Sequence, residues 1–584
     1  MKNQWYKKAC FYQIYPRSFC DSNGDGIGDI PGIISKVDYL ASLNIDAIWF
    51  SPLYCSPNAD YGYDISDYKN INPEYGTMQD FDRMVKLLHA RNIKVIMDLV
   101  INHTSDKHRW FEESRKSKDN PYRNYYIWRD GRGKNGKKPP NNWTSFFLGT
   151  AWQYDELTGQ WYLHLFDKNQ PDLNYFNPRV LEEVKDVLNF WLKKGVDGFR
   201  CDVITLLSKR EGLPDGKKRI ALTGREHYLN GPKIEFLLRQ LQEDVLSKYD
   251  AFTVGESVMI DVDTALKYTS GENPLLDTVF EFEHMNADNY FGIKQFVRKF
   301  SLKRLKKTIA KWQDGLYNKA WNTLYWENHD QARIVGRYCS ATEYREEGAK
   351  MMGTILLTLS GTPFIYQGQE IGQTSAKMQD IEMYRDVESI RSYNTMRKIF
   401  GKKGAMKRIS YCSRDNARTP VQWDSGANGG FTAGTPWLAL NPNYTQINVA
   451  QQENEQSSVL NYYRKLIQLR KEHDVFTFGT YQDLAPLKSK LWMYKRSYNG
   501  DEILVVNNFS LKPQKVRAVK DAERYTLLTS NYPNSAQTPV ARTLRPYESA
   551  VYILKEQEKQ IDIPKDDALT TATVTETEQT EQTV

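Results

Sequence analysis

The stretch Gly198-Phe199-Arg200-Cys201-Asp202-Val203, led in by Val196-Asp197, is where the reading of the chain begins. It follows a helical segment and reads as a short buried strand that ends on charge. Residues two apart on a strand share a face, so Arg200 and Asp202 should lie side by side. The guanidinium is then expected to hold the Asp202 carboxylate ionised at neutral pH, ready as a nucleophile. Alone, an arginine and an aspartate at this spacing are a structural ion pair. What surrounds the stretch changes that reading.

Immediately upstream, Asn177-Pro178 starts a helix, with Asn as N-cap and Pro at the first helical position. Apolar residues at 180, 181, 184, 187, 188 and 191 form one stripe, and Gly195 ends it. Further upstream, Phe11 to Pro16, Ala47 to Phe50 and Lys94 to Val100 read as strands. Downstream, Phe252 to Glu256, Thr278 to Phe282, Asn322 to Trp326 and Gly361 to Gln367 do the same. Eight short strands, mostly separated by helical segments, predict an α/β chain built on a (β/α)8 TIM barrel.

A chain of 584 residues exceeds one core, and two interruptions divide it. Between residues 104 and 174 the strand–helix rhythm stops. A structureless loop of that length is improbable, so a small inserted domain after strand 3 is expected. The barrel then covers 1–103 and 175–480. Alternating apolar runs predict a C-terminal antiparallel β-sandwich over 481–556, and the Thr/Glu/Gln-rich segment 557–584 reads as a disordered tail.

With 37 Tyr, 24 Phe and 14 Trp the chain is aromatic-rich, which suits sugar binding as well as a large core. A net charge of +7 with no basic block gives no sign of nucleic acid. The six cysteines are scattered, no apolar segment follows the N-terminal Met1-Lys2-Asn3, and no run reaches membrane-span length. A cytoplasmic monomer without membrane or nucleic-acid partners is the expectation. Asp21-Ser22-Asn23-Gly24-Asp25-Gly26-Ile27-Gly28-Asp29 matches most of an EF-hand-type loop, although Gly32 replaces the closing glutamate. A structural Ca2+ or Mg2+ held by Asp21, Asn23, Asp25, the Ile27 carbonyl and Asp29 is expected; a Gly/Asp-rich turn without an ion is the plainer reading.

In a barrel of this kind, catalytic residues belong at the C-terminal ends of the strands. Asp202, Glu256 and Asp330 fall there, and clustered acids oppose folding unless chemistry uses them. Ends of adjacent strands lie about 4.8 Å apart. That favours a retaining glycosidase, whose carboxyls stand about 5–5.5 Å apart, over an inverting one at about 6.5–9.5 Å. Asp202 would be the nucleophile, Glu256 the acid/base held protonated by the surrounding negative charge, and Asp330 a stabiliser of the oxocarbenium-like transition state.

Four motifs carry a resemblance: Asp98-Leu99-Val100-Ile101-Asn102-His103, Gly198-Phe199-Arg200-Cys201-Asp202, Gly255-Glu256 and Glu327-Asn328-His329-Asp330. In this order they resemble the conserved regions of the α-amylase family, glycoside hydrolase family 13, from about Tyr12 to Tyr552. The resemblance implies the same three catalytic carboxylates, no cofactor for catalysis, and His103, Arg200 and His329 against the reacting glucose. Gln170-Pro171-Asp172-Leu173-Asn174 and Arg414-Asp415-Asn416-Ala417-Arg418-Thr419-Pro420 are similar to the oligo-1,6-glucosidase branch. That branch implies Asp60 and Arg414 gripping the non-reducing glucose, Tyr63 stacking beneath it, and exo action. Val203 looks like its marker for α-1,6 bonds, by shaping the acceptor site. Trehalose-6-phosphate hydrolase, dextran glucosidase and broad α-glucosidase activities stay open beside it. A sucrose isomerase is disfavoured by Val203, and a non-catalytic transporter-associated relative by the three acids. Gln369, Glu235 and Ser257-Val258-Met259 depart from the pattern and are expected near or behind the acceptor site. Lys209 and Arg210 are expected as solvated surface.

Overall fold

The structure is a computed structural model and describes residues 4–554 apart from 377. The tail expected at 557–584 lies outside the described residues. Eight parallel strands form the barrel: β1 (Phe11–Ile14), β2 (Ala47–Phe50), β3 (Lys94–Leu99), β4 (Gly198–Cys201), β5 (Phe252–Glu256), β6 (Thr278–Phe280), β7 (Thr323–Leu324) and β8 (Thr362–Tyr366). Their hydrogen-bonded order is β6-β5-β4-β3-β2-β1-β8-β7. Between β6 and β7 the ring is closed by two threonine hydroxyls, Thr278 to the Trp321 carbonyl and Thr323 to the Val279 carbonyl.

Alternation along each strand separates two cores. Phe11, Ala47, Trp49, Ile96, Phe252, Val254, Phe280, Tyr325 and Phe364 pack inside the barrel. Their neighbours Tyr12, Ile48, Phe50, Val95, Met97, Phe199 and Ile365 pack outward under the helices. The helix Pro178–Lys193 is capped by the Asn177 side chain, which accepts from the Arg179 N–H, and Gly195 follows it with φ 91°. Gly198 has no room for a side chain, since a Cβ there would lie 2.2 Å from the Phe252 carbonyl oxygen. The bare residue lets β4 and β5 approach.

After β3, the strands Trp128–Arg129, Trp152–Asp155 and Gln160–Leu163 make a small antiparallel sheet. This inserted segment is not self-contained. Asn141, Asn142 and Trp143 hydrogen-bond to the Leu213, Gly216 and Pro214 carbonyls, so the loop after β4 completes it. At the C-terminal end a five-stranded antiparallel sheet runs Gln482–Asp483, Leu491–Tyr498, Asp501–Asn508, Ser549–Leu554, Tyr525–Ser530, with a two-stranded ribbon of Gln514–Val516 and Arg542–Leu544. Among the described residues no helix is long and apolar enough to cross a membrane.

Candidate active site

The alternation that buries Ile96 and Val254 inside the barrel carries on to its C-terminal rim. Two residues beyond Ile96 comes Asp98, two beyond Val254 comes Glu256, and two beyond Gly198 comes Arg200. Asp98 and Arg200 are register partners across β3 and β4. The polar residues of the rim are thus the continuation of the apolar inner face.

Arg200, 1 % exposed, is the hub. Its Nη1 lies 2.8 Å from Asp98 Oδ1 and 2.6 Å from Asp202 Oδ1, and its Nη2 lies 2.7 Å from Glu256 Oε2. The pairing with Asp202 is as expected; the simultaneous grip on Glu256 and Asp98 is not visible in a two-residue spacing. Three carboxyl groups share one guanidinium, so Arg200 does not answer Asp202 alone. Burial pushes Asp202 well above the ordinary carboxylate range; Arg200 pulls it down, and neighbouring Glu256 and Asp98 push it up again.

A second hub, Arg414, stands across the mouth. Its Nη2 is 2.8 Å from Asp60 Oδ1 and 2.6 Å from Asp386 Oδ1, and its Nη1 is 3.3 Å from Asp330 Oδ1. Arg418 reaches the same Asp330 oxygen at 2.7 Å. The Asp60–Arg414 pair is not a surface salt bridge, because its side chains are only 5 % and 6 % exposed. Burial pushes Asp330 up, but His329, Arg414 and Arg418 outweigh it and hold the carboxyl well below its usual range. Asp330 and Asp202 are thus set apart electrostatically, the first held below the usual carboxylate range and the second pushed above it.

Tyr63 joins the hubs. Its hydroxyl donates to Asp98 at 2.9 Å, and its ring stacks on His329, with centroids 5.2 Å apart and planes at 4°. His329 takes Gln13 on Nδ1 at 2.8 Å and has Nε2 3.2 Å from Asp330. His103 Nε2 faces the Tyr63 carbonyl at 3.0 Å, and burial lowers its pKa to about 4, which keeps the ring neutral. All nine predicted side chains (Asp60, Tyr63, His103, Arg200, Asp202, Glu256, His329, Asp330 and Arg414) therefore belong to one connected network. Sequence reasoning missed Asp98, Gln170, Asp386 and Arg418. Gln170 links Asp60, the Tyr63 carbonyl and His103 at 3.1–3.4 Å. Asp98, Gln170 and Arg418 stood inside quoted motifs, but Asp386 carried only the signal of a helix N-cap.

Val203 has φ 35° and ψ 42°, the left-handed region that a β-branched residue adopts only under constraint. The constraint is visible. Its N–H donates to Glu256 Oε2 at 3.1 Å, and its side chain is buried in one apolar cluster with residues of the inserted segment and the loop after β4, among them Trp143, Trp152 and Tyr228.

Other expectations need correction. Lys209 is not solvated: its side chain is 1 % exposed, and Nζ bonds Asp172 Oδ1 at 2.7 Å and Asn102 Oδ1 at 2.8 Å. It ties the segment closing the insertion to the end of β3. Gln369 is buried, donating to the Tyr463 hydroxyl at 3.2 Å. Glu235 is exposed on the helix Ile234–Asp244, and Met259, 49 % exposed, lies against Arg225. In the 21–29 loop the carboxylates are consumed internally. Asp21 accepts from the Asn23, Gly24 and Gly26 N–H groups, and Asp29 from Gly32 and from the N–H and hydroxyl of Ser22. Among the described residues no group of three or more His, Cys, Asp or Glu side chains converges as a metal site, this loop included.

Comparison with known proteins agrees with this arrangement. The alpha amylase, catalytic domain model matches residues 13–479. The chain is 50 % identical over 564 residues to an oligo-1,6-glucosidase of Parageobacillus thermoglucosidasius, covering 95 % of this chain and 100 % of that one. It is 45 % identical to a trehalose-6-phosphate hydrolase of Bacillus subtilis (strain 168), covering 94 % and 98 %. Among solved structures, a trehalose-6-phosphate hydrolase of Bacillus licheniformis superposes with TM-score 0.90 at 44 % identity over 95 % of this chain and 100 % of that one. An isomaltulose synthase of Klebsiella sp. LX3 superposes with TM-score 0.91 at 40 % identity, with the same coverage. With a family model spanning most of its length and such relatives along nearly all of it, the chain belongs to the alpha-amylase family.

Proposed function

We propose that the chain is a retaining exo-α-glucosidase that hydrolyses α-1,6-glucosidic bonds from the non-reducing end of isomaltose, isomalto-oligosaccharides and panose. The observation that carries this reading is the single Arg200 guanidinium bonded at once to Asp202 and Glu256. Two carboxyls gathered on one guanidinium stand close together, as a retaining pair must. Glu256, as the acid, donates to the glycosidic oxygen of a bound substrate. Asp202 is left ionised against Arg200. Asp202 then attacks the anomeric carbon, the bond to the leaving oxygen breaks, and Glu256 passes its proton to that oxygen. In the second half Glu256 takes a proton from water, whose oxygen displaces Asp202 with net retention. Asp330, ionised beside two arginines, steadies the positive charge on the sugar and holds its hydroxyls. His103, His329 and Arg200 contact the same glucose, and Tyr63 lies beneath it. The buried Asp60–Arg414 pair closes the pocket beyond one glucose, which supports exo action.

The similarity to oligo-1,6-glucosidases and the shape that Val203 imposes beside Glu256 support the α-1,6 preference. Trehalose-6-phosphate hydrolysis is the alternative that the relatives' names raise. Lys209 cannot serve it as a phosphate ligand, because its ammonium is buried between Asp172 and Asn102. The test is to chromatograph the products from isomaltose, maltose, panose, sucrose and trehalose-6-phosphate side by side. Glucose from isomaltose and panose is expected; rapid turnover of the phosphosugar with isomaltose untouched would overturn the reading.

The same reading includes a cytoplasmic monomer without a catalytic cofactor, and a division into barrel, inserted segment 104–174 and C-terminal segment 481–556. A Ca2+ or Mg2+ ion on the 21–29 loop is part of it on donor chemistry alone, all hard oxygens. Melting with and without a chelator tests it, and an unchanged transition removes the ion.

A further inference from the structure

Asp386 takes no part in the chemistry above, yet it is fully buried and spends every lone pair on the protein. Its Oδ1 accepts from Arg414 Nε at 2.8 Å, Arg414 Nη2 at 2.6 Å and the Glu388 N–H at 3.1 Å. Its Oδ2 accepts from the Ser389 N–H at 3.1 Å and the Ser389 hydroxyl at 2.6 Å. Nothing is left to meet a sugar. We propose that Asp386 is a positioning residue for the terminal-glucose pocket, turning Arg414 toward Asp60 and away from Asp330.

The geometry makes the argument. A guanidinium has a fixed fork, so the edge it commits to one carboxylate sets where its other nitrogens point. Asp386 takes the Nε edge from behind. Nη2 is then shared with Asp60, and Nη1 stands 3.3 Å from Asp330, a looser contact than the 2.7 Å of Arg418. The competitor for the Nε edge, Glu388 at 3.6 Å, is itself held by Lys294 at 2.6 Å and Gln295 at 3.1 Å. Beneath Asp386 the backbone is fixed as well: its N–H and that of Arg385 both donate to Asp415 Oδ2. With the Asp386 charge gone, nothing fixes the Nε edge, and the Arg414 fork is left between Asp60 at 2.8 Å and Asp330 at 3.3 Å, free to turn from the first toward the second. Any closer hold of Arg414 on Asp330, which already meets Arg418 and His329, leaves it less capacity for sugar hydroxyls.

This rests on the reading of Asp60 and Arg414 as the grip on the non-reducing glucose, and the experiment separates the two. Asp386→Asn and Asp386→Ser both keep an N-cap acceptor for the helix Val387–Cys412 while removing the charge. Each is measured for kcat and KM on isomaltose and for melting temperature, alone and in an Arg414→Ala background, as a double-mutant cycle. The expected result is a KM raised at least about tenfold by either variant, with a smaller fall in kcat and a melting temperature near wild type. In the Arg414→Ala background neither variant should have any further effect. An unchanged KM in a folded Asp386 variant, or effects that add fully to those of Arg414→Ala, would overturn the Asp386 assignment alone. An Arg414→Ala protein with wild-type KM and kcat would overturn the grip and the assignment together. If both Asp386 variants were to melt far below wild type, with kcat falling in step with folded protein and KM constant, the residue would be a structural cap and the assignment would fail.

Discussion

Two regions bury arginines to the same depth and use them oppositely. At the mouth of the barrel Arg200, Arg414 and Arg418 are surrounded by carboxylates: Asp98, Asp202 and Glu256 on the first, Asp60, Asp386 and Asp330 on the others. At the junction with the C-terminal sheet Arg470 and Arg496 meet only carbonyl oxygens. Arg470 bonds Leu357, Leu359 and Phe476 at 2.8–3.1 Å, and also Gly361; Arg496 bonds Thr480 at 2.6 Å and Gly479 at 2.7 Å, and also Thr358. Leu357, Thr358 and Leu359 end the helix Arg345–Thr358, whose last carbonyls lack partners within the helix. The junction arginines thus satisfy backbone dipoles, and burial with no acid beside them lowers Arg470 to about 10 and Arg496 to about 9. In the mouth the arginines restrain an excess of acid that folding does not need. One set binds parts of the fold together, and the other keeps reactive groups ready.

The contrast is sharpest at Asp202. Asp202→Asn is expected to lower kcat by about 10^4-fold or more, since it removes the nucleophile. Its melting temperature should equal or exceed that of wild type, because one acid of a crowded group is neutralised. Activity on isomaltose together with thermal melting checks both halves; a marked loss of stability would break the contrast. Lys209 lies between the two regimes. Lys209→Met should destabilise by about 3–5 kcal/mol, because it leaves Asp172 buried without its partner, as denaturant unfolding would show.

For Arg496→Met the expected loss is about 3 kcal/mol, from carbonyls left without donors. The kcat of the folded fraction should be unchanged, and a KM shift at this distance would blur the distinction drawn here. The smallest effect is expected at Glu370. It is 1 % exposed, and Oε1 accepts from the Tyr12 and Tyr39 hydroxyls at 2.6 and 2.7 Å. Burial raises its pKa, so the stability it contributes is complete below the ordinary carboxylate range and is lost as pH rises through the elevated value. Glu370→Gln should therefore melt about 1–3 °C higher than wild type at about pH 8, with the gap closing toward about pH 4.

Much of this was legible before any coordinates. Short apolar runs marked all eight barrel strands, and the helix before β4 could be read from Asn177, Pro178 and Gly195. Strand ends pointed to the three carboxylates, and the family resemblance added the six other side chains that meet them at one mouth. The failures share a cause. Lys209 was read as surface because a lysine after a strand usually is, and only the fold brings Asp172 and Asn102 to it from the chain before. Arg200 was read as the partner of Asp202 alone because it is two residues away, whereas Glu256 and Asp98 reach the same guanidinium from other strands.

Local chemistry in the sequence is enough for strand faces, helix caps and the identity of the reactive groups, since these depend on neighbours a few residues apart. Which charge answers which was decided only by the closed barrel. Val203 shows the limit most clearly. As a letter it is a good strand residue. In the fold it turns left-handed, gives its N–H to Glu256 and seals the inserted segment against the rim. That conformation comes with the bond to Glu256 and burial in the cluster of Trp143, Trp152 and Tyr228, surroundings that no reading of its immediate neighbours contains.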